Sequence, residues 1–274
     1  MRIIFILLLF IIILSQAQAQ VRKFIPETIV KYTFRCKPYL NEETIFTFEM
    51  SLLSKGNLSF FMENKMINLD RQMNSFVNSS KSFEEMQKQL IKLPKPDIRS
   101  VIRKDLKSKL LESNQLIATN YYYFDVPLNI KWDIMKEKQK LLGYDVQKAT
   151  CAYKGRDYIA WFTTQIPLAD GPYVFSGLPG LILKIHDTKM DYSYEATDIQ
   201  KGVPQDEVYF HLFSKPIRTT QSEFEALKKV ASANVLASIE SNPNIIMNEE
   251  NKRKILENAN RINGKKLNPM ELED

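Results

Sequence analysis

Two histidines, His186 and His211, and two cysteines, Cys36 and Cys151, are the imidazoles and thiols this chain offers. His186 adjoins Asp187, with Ser176 and Ser193 nearby in sequence, so a hydrolase using His186 as base and Ser176 or Ser193 as nucleophile is one chemistry the residues allow. Against it, neighbours on a strand point to opposite faces, which separates His186 from Asp187. Neither histidine falls in an HExxH, HxH or Cys/His spacing, so no metal site is expected. There is no GxSxG, Walker loop or GxGxxG, and acyl, phosphoryl and dinucleotide chemistry therefore lack their usual backbone cradles. The carboxylate pairs Glu84-Glu85 and Glu249-Glu250 stand where helices begin, where they offset the macrodipole. These residues point to a chain that is not an enzyme and carries no cofactor.

The cysteines admit two readings. In an oxidising compartment Cys36 and Cys151 could form one disulfide closing a long loop, or each could be a separate buried thiol. Pairing needs their Cα atoms within about 7 Å, which spacing does not decide. Zinc or redox use lacks its CxxC spacing.

Aromatic residues are dense in the middle of the chain: Tyr121 to Phe124, Tyr158, Trp161, Phe162, Tyr173, Phe175, Tyr192 and Tyr194. On strands half of them must meet a core, and the rest can shield it from outside or line a concavity. The second possibility makes Tyr144, Trp161, Tyr173 and Phe175 candidate ligand-binding residues for an apolar or amphipathic small molecule.

The elements that would position these residues follow from periodicity. Glu27 to Arg35 and Glu42 to Leu53 alternate apolar and polar side chains, and Lys55-Gly56-Asn57 turns the chain into Leu58 to Met62, giving an antiparallel hairpin. Ser82 precedes Phe83, Met86, Leu90 and Leu93 at helical spacing, with Glu85 as its capping-box partner and Pro94 as the stop. Asn74 to Lys81 reads as a loop. Short strands follow over Ile98–Lys104, Leu116–Val126, Ile130–Lys136, Leu141–Tyr153, Arg156–Gln165, Leu181–Asp187 and Asp191–Ile199. Helical spacing returns from Ser222 and again from Asn248. The expected fold is α+β: a curved antiparallel β-meander, half-barrel-like, with one inserted helix and two C-terminal helices, its concave side covered by helix or left open.

The first residues carry an address. Arg2 precedes an unbroken apolar run from Ile3 to Leu14, followed by Ala17-Gln18-Ala19, the form of a cleavable secretion signal. Residues 1–19 are expected to be removed, leaving one domain over 20–274 in the periplasm or outside the cell, with no transmembrane segment after cleavage. Losing Arg2 lowers the formal charge from +6 to +5. That excess is mild and interspersed with acids, so no nucleic-acid partner is expected.

One stretch is unlike its surroundings. Leu178-Pro179-Gly180-Leu181 places Pro second and Gly third, as a type II turn requires, while Gly177 and Gly171 permit unusual dihedrals or close approach and Leu178, Leu181 and Ile182 suit a core. An alternative is a loop that presents Tyr173 and Phe175 at the rim of a binding cleft. The runs Gly143-Tyr144, Gln147 to Thr150, Gly155-Arg156, Ala160-Trp161, Gly171-Pro172-Tyr173 and Phe175 to Ile182, with the ending Asn268 to Glu273, closely resemble the GLPGLI family of secreted Bacteroidetes proteins. The resemblance implies an envelope protein associated with TonB-dependent uptake through the outer membrane, so a TonB-dependent receptor is the partner it suggests. A binding or accessory protein is the favoured function. The alternatives are a structural or interaction protein of the envelope and a hydrolase using Ser176 and His186.

Overall fold

The computed structural model describes residues 23–79, 82–90, 92–210, 216–240, 248–263 and 265–272. The expected secretion signal, His211 and Glu273 lie outside them.

The fold is α+β and is built on one open, curled sheet. Its strands are β1 (Thr28–Cys36), β2 (Phe46–Lys55), β3 (Leu58–Glu63), β4 (Ser100–Asp105), β5 (Leu110–Ile117), β6 (Asn120–Pro127), β7 (Asp133–Leu141), β8 (Tyr144–Tyr153), β9 (Arg156–Thr163), β10 (Leu181–Asp187), β11 (Tyr192–Lys201) and β12 (Ile217–Arg218). They lie in the order β12-β6-β5-β4-β3-β2-β1-β11-β10-β9-β8-β7. All pairs are antiparallel except β12 with β6. Two meanders, β1 to β6 and β7 to β11, are thus joined through β1 and β11.

The curl follows from one short connection. β6 and β7 lie ten strand positions apart, about 48 Å along a flat sheet at 4.8 Å per strand. Residues 128–132 bridge them, and five residues reach only about 20 Å. The sheet therefore has to bend until its two ends approach each other. Leu128, Ile130 and Trp132 pack against the main core on the way, which places this crossing on the concave side. The strand expected over Ile130–Lys136 accordingly begins only at Asp133, and the stretch expected as Leu116–Val126 is the hairpin of β5 and β6, turning through Ala118 at φ 52°.

Alternation along β1 shows how the faces are assigned. Val30, Tyr32, Phe34 and Cys36 enter the concave core with Met50, Leu52, Phe61 and Ile102 of neighbouring strands, whereas Ile29 and Leu53 face the convex side. There they meet Met66 and Ile67 of α1 (Asn64–Val77). The sequence reading missed α1 and expected a loop at its end. Its N-cap Glu63 makes no side-chain cap bond and its first turn holds no acid, so little but packing on the sheet signals a helix. The expected helix after Ser82 is α2 (Phe83–Leu90), and Ser82 and Glu85 exchange the capping-box hydrogen bonds at 2.9 and 3.3 Å. Two inserted helices therefore stand where one was expected. At the C-terminal end α3 (Gln221–Ala233), α4 (Val235–Glu240) and α5 (Glu249–Asn263) make three where two were expected.

The disulfide does not form. Cys36 on β1 and Cys151 on β8 are both buried free thiols, and β11, β10 and β9 lie between their strands in the sheet. Burial pushes the Cys36 thiol up to about 11 and that of Cys151 up to about 12.

Candidate functional site

The concave face is filled by the chain itself. Residues 164–180, between β9 and β10, carry Val174, Phe175 and Leu178 into the main core, where they are 5%, 0% and 1% exposed. Three hydrogen bonds of i to i+2 type shape this loop: Leu168 N–H to Ile166 C=O at 2.8 Å, Asp170 to Leu168 at 2.7 Å, and Gly180 to Leu178 at 2.8 Å. Two of these γ-turns centre on Pro167 and Pro179, whose fixed φ suits that geometry.

The type II turn expected at Leu178–Leu181 is therefore replaced by a tighter one, and Gly180 does not take positive φ; Gly177 does, at +94°. Gly180 is required for another reason. A Cβ there would stand 2.0 Å from the carbonyl oxygen of Thr163. Leu181 and Ile182 then enter β10 fully buried.

A buried ion pair ties this loop to the far half of the sheet. Lys104 on β4 and Asp170 are both fully buried and paired, and Lys104 Nζ also donates to the Gly171 carbonyl at 2.6 Å. Asp170 Oδ1 accepts from Gly171 N–H at 2.8 Å, and Tyr32 donates its hydroxyl to the Ile182 carbonyl at 2.7 Å. Among the described residues Asp170 Oδ2 and Ser59 Oγ have no hydrogen-bond partner, and Ser59 sits opposite Lys104 across β3 and β4. Desolvation lowers the Lys104 pKa, with the Asp170 charge opposing it.

Beside the loop runs a groove lined by Tyr153, Tyr158, Tyr173, Tyr192 and Tyr194 around Arg156, and the tail Leu267–Leu272 lies in it. Arg156 Nη2 donates to the Asn268 side chain at 2.5 Å and to the Pro269 carbonyl at 2.7 Å. Its Nη1 is held by Asp187 at 2.8 Å and Asp191 at 3.4 Å. Tyr192 donates to the Asn268 carbonyl, Tyr158 to that of Met270 at 3.3 Å, and Tyr173 and Tyr153 to the Glu271 carboxylate. Tyr173 takes φ 54°, a left-handed conformation costly for an aromatic residue, and the Glu271 bond helps to hold it.

Burial, with the Glu271 charge second, keeps the Tyr173 phenol well above the usual value of 10; burial first also raises Tyr32, Tyr153, Tyr158 and Tyr194, and lifts Tyr192 to about 12. Raised folded-state values mean a contribution fully present below pH 10 and lost as pH climbs through them. The urea midpoint is expected to hold steady to about pH 9.5 and fall progressively between pH 10 and 12. A midpoint unchanged at pH 12 would contradict this burial.

The four candidate ligand residues stand in different surroundings. Phe175 is fully buried, with its ring 4.7 Å from that of Tyr158, so the alternative that set it at a cleft rim does not hold for it: the loop turns inward and uses it as core. Tyr173 is half-buried against the tail. Trp161 is half-buried between Lys148 and Lys184 of neighbouring strands, and Tyr144 faces Leu141 in the β7–β8 hairpin. Ser176 lies in the loop on the concave side, while His186, opposite Ser193, alternates with the inward Ile185 and Asp187. Ser176 and His186 thus stand on opposite faces of the sheet.

An open cleft occurs elsewhere, at the β12 end. It is a shallow depression of about 530 Å³, largely open to solvent, between β6, β12 and α3, and its apolar lining includes Tyr122, Ile217, Ala226, Leu227 and Val230. The N-terminus of α3 is fixed by Thr220 and Glu223 in a reciprocal cap, and Phe224 is buried against Phe124 at 5.2 Å between ring centroids. One turn on, Leu227 and Val230 remain 40% and 69% exposed. The helical spacing that begins at Ser222 predicts this helix but not which part of its apolar face is covered. A helix that buries one residue and exposes the rest of its apolar face was not foreseeable without knowing that the sheet ends beneath it. Among the described residues no helix is long and apolar enough to cross a membrane, and no three His, Cys, Asp or Glu side chains cluster as a metal site.

Residues 152–184, from the end of β8 through the loop into β10, match the model of a family described as a protein of unknown function, Porph_ging. No curated protein matches the chain. Among solved structures, PNGF-II is similar with a TM-score of 0.50 at 14% identity over 74% of this chain, a likeness of fold alone. This chain spans about a third of that protein, 33% of its length. A LolA superfamily protein from Nitrosomonas europaea aligns over 68% of this chain and 90% of its own at 8% identity with a TM-score of 0.26.

Proposed function

We propose that the protein is an exported binding or accessory protein of the cell envelope, of the GLPGLI type, which takes an apolar or amphipathic small molecule in the cleft beside α3. The cleft carries the reading. Its volume falls in the range of about 300–1,000 Å³ typical of small-molecule sites, its walls are mainly apolar, and Arg218, Thr219 and Glu223 supply polar groups at its edge. The leader-like residues 1–19 support export, and the GLPGLI resemblance supports a role beside TonB-dependent uptake.

The test uses protein recovered from the periplasm, with an intact mass starting at Gln20, titrated with N-phenyl-1-naphthylamine as an apolar fluorescent probe. Saturable binding is expected, weakened at least tenfold by Val230→Glu. That side chain is mostly solvent-exposed, so the substitution should leave stability within about 0.5 kcal/mol. Equal probe binding by the variant, or a retained Met1, would overturn the corresponding half of the reading.

A further inference from the structure

The groove around Arg156 has the chemistry of a recognition site more than that of a core. It meets the tail backbone through hydrogen bonds: Arg156 Nε and Nη2 on the Pro269 carbonyl at 3.2 and 2.7 Å, Tyr158 and Tyr192 on two further carbonyls, and Lys154 C=O accepting from Leu272 N–H at 3.0 Å. Two tail side chains are read. Asn268 accepts from Arg156 and donates to the Lys37 carbonyl at 2.8 Å, while Glu271 accepts from Tyr153 and Tyr173. Tyrosine and arginine are the residue types most enriched at binding hot spots.

Arg156, at the centre of the groove, is held by contacts outside the tail. Asp187 and Asp191 hold Arg156 Nη1, the Tyr192 ring lies 4.9 Å from the guanidinium carbon, and Asp187 Oδ1 accepts from Tyr192 N–H at 2.8 Å. None of these contacts uses the tail, so the fork that faces Asn268 and Pro269 stays aimed if the tail leaves. The tail's apolar contacts are two: Met270 packs partly buried against the main core, and Leu272 lies over Gly155. Asn268 is its one buried residue, Leu267 is 61% exposed, and Pro269 pre-sets an extended backbone that lowers the entropy lost on docking.

We propose that this groove is a peptide-binding site for an extended segment of Asn-Pro-x-Glu pattern, filled in this molecule by the chain's own tail and able to take such a segment from another polypeptide. The cis tail competes at an effective concentration on the order of millimolar, so an incoming peptide must outbid it or the tail must first be weakened. The site is separate from the cleft beside α3 and does not depend on the reading of that cleft.

The experiment is fluorescence anisotropy with a labelled peptide of residues 266–272, titrated into the full-length chain and into full-length Asn268→Ala/Glu271→Ala, which loosens the tail and leaves the groove intact. The doubly substituted chain is expected to bind the peptide at least tenfold more tightly than the unmodified chain does and to ignore a scrambled peptide. Adding Tyr173→Phe, which removes only a hydroxyl, should weaken that binding at least threefold. Equal binding of scrambled peptide, no binding by a variant that still melts cooperatively, or indifference to Tyr173→Phe would overturn the proposal. So would a double variant that does not fold, since the tail would then be core and not ligand.

Discussion

Gly180→Ala is expected to destabilise the protein by about 3 kcal/mol or more, among the largest effects a single methyl can produce. The added Cβ would meet Thr163 O at 2.0 Å, Thr163 C at 2.6 Å and Thr164 Cα at 3.0 Å, all backbone atoms of the segment leaving β9. No rotamer change relieves a clash with main chain, so the loop must lift away from the strand and withdraw Leu178 and Phe175 from the core. Had the motif formed a type II turn, the same substitution would cost only the left-handed strain of about 1–2 kcal/mol. Gly143→Ala provides that comparison directly, because Gly143 takes φ +82° with open space around it. Urea unfolding of both variants separates the two causes: a midpoint for Gly180→Ala no lower than that of Gly143→Ala would show that the close approach is not made.

Lys104→Met is expected to cost about 3–5 kcal/mol, because it leaves the Asp170 carboxylate buried with no cation beside it. The pair joins β4, in one meander, to the loop that precedes β10, in the other, so its loss should also loosen the loop from the sheet. Adding Asp170→Asn removes the orphaned charge and keeps an oxygen for Gly171 N–H, so the double variant should recover a large part of the loss. A double-mutant cycle by urea unfolding measures the coupling. A single variant as stable as the parent would mean that Asp170 escapes its charge by protonation or by water, and the pair would then contribute nothing to holding the loop.

The strands were legible because period-two alternation is a local property: Val30, Tyr32 and Phe34 announce a buried face wherever β1 goes. The capping box at Ser82 and Glu85 was legible for the same reason, since its two partners are three residues apart. α1 was not, because its caps are weak and what stabilises it is tertiary: Met66 and Ile67 pack on the convex face, Asp70 accepts from Tyr209 N–H, and Arg71 donates to the Glu207 carbonyl. The motif's composition told that backbone geometry was at stake, but a type II turn and a γ-turn with a close strand approach place the same demand for Pro and Gly, and only the position of Thr163 distinguishes them.

The sequence by itself determined an α+β chain with an antiparallel sheet, an apolar N-terminal leader pattern and a loop built on glycine and proline, because each of these is written in neighbouring residues. Tertiary structure alone decided that the concave face is filled by loop and tail, that the two cysteines stand apart, that Lys104 and Asp170 meet, and that the open cleft lies beside α3. All four depend on which strands become neighbours, and in this chain that choice turns on β1 pairing with β11 across more than 150 residues, a contact that no local pattern encodes.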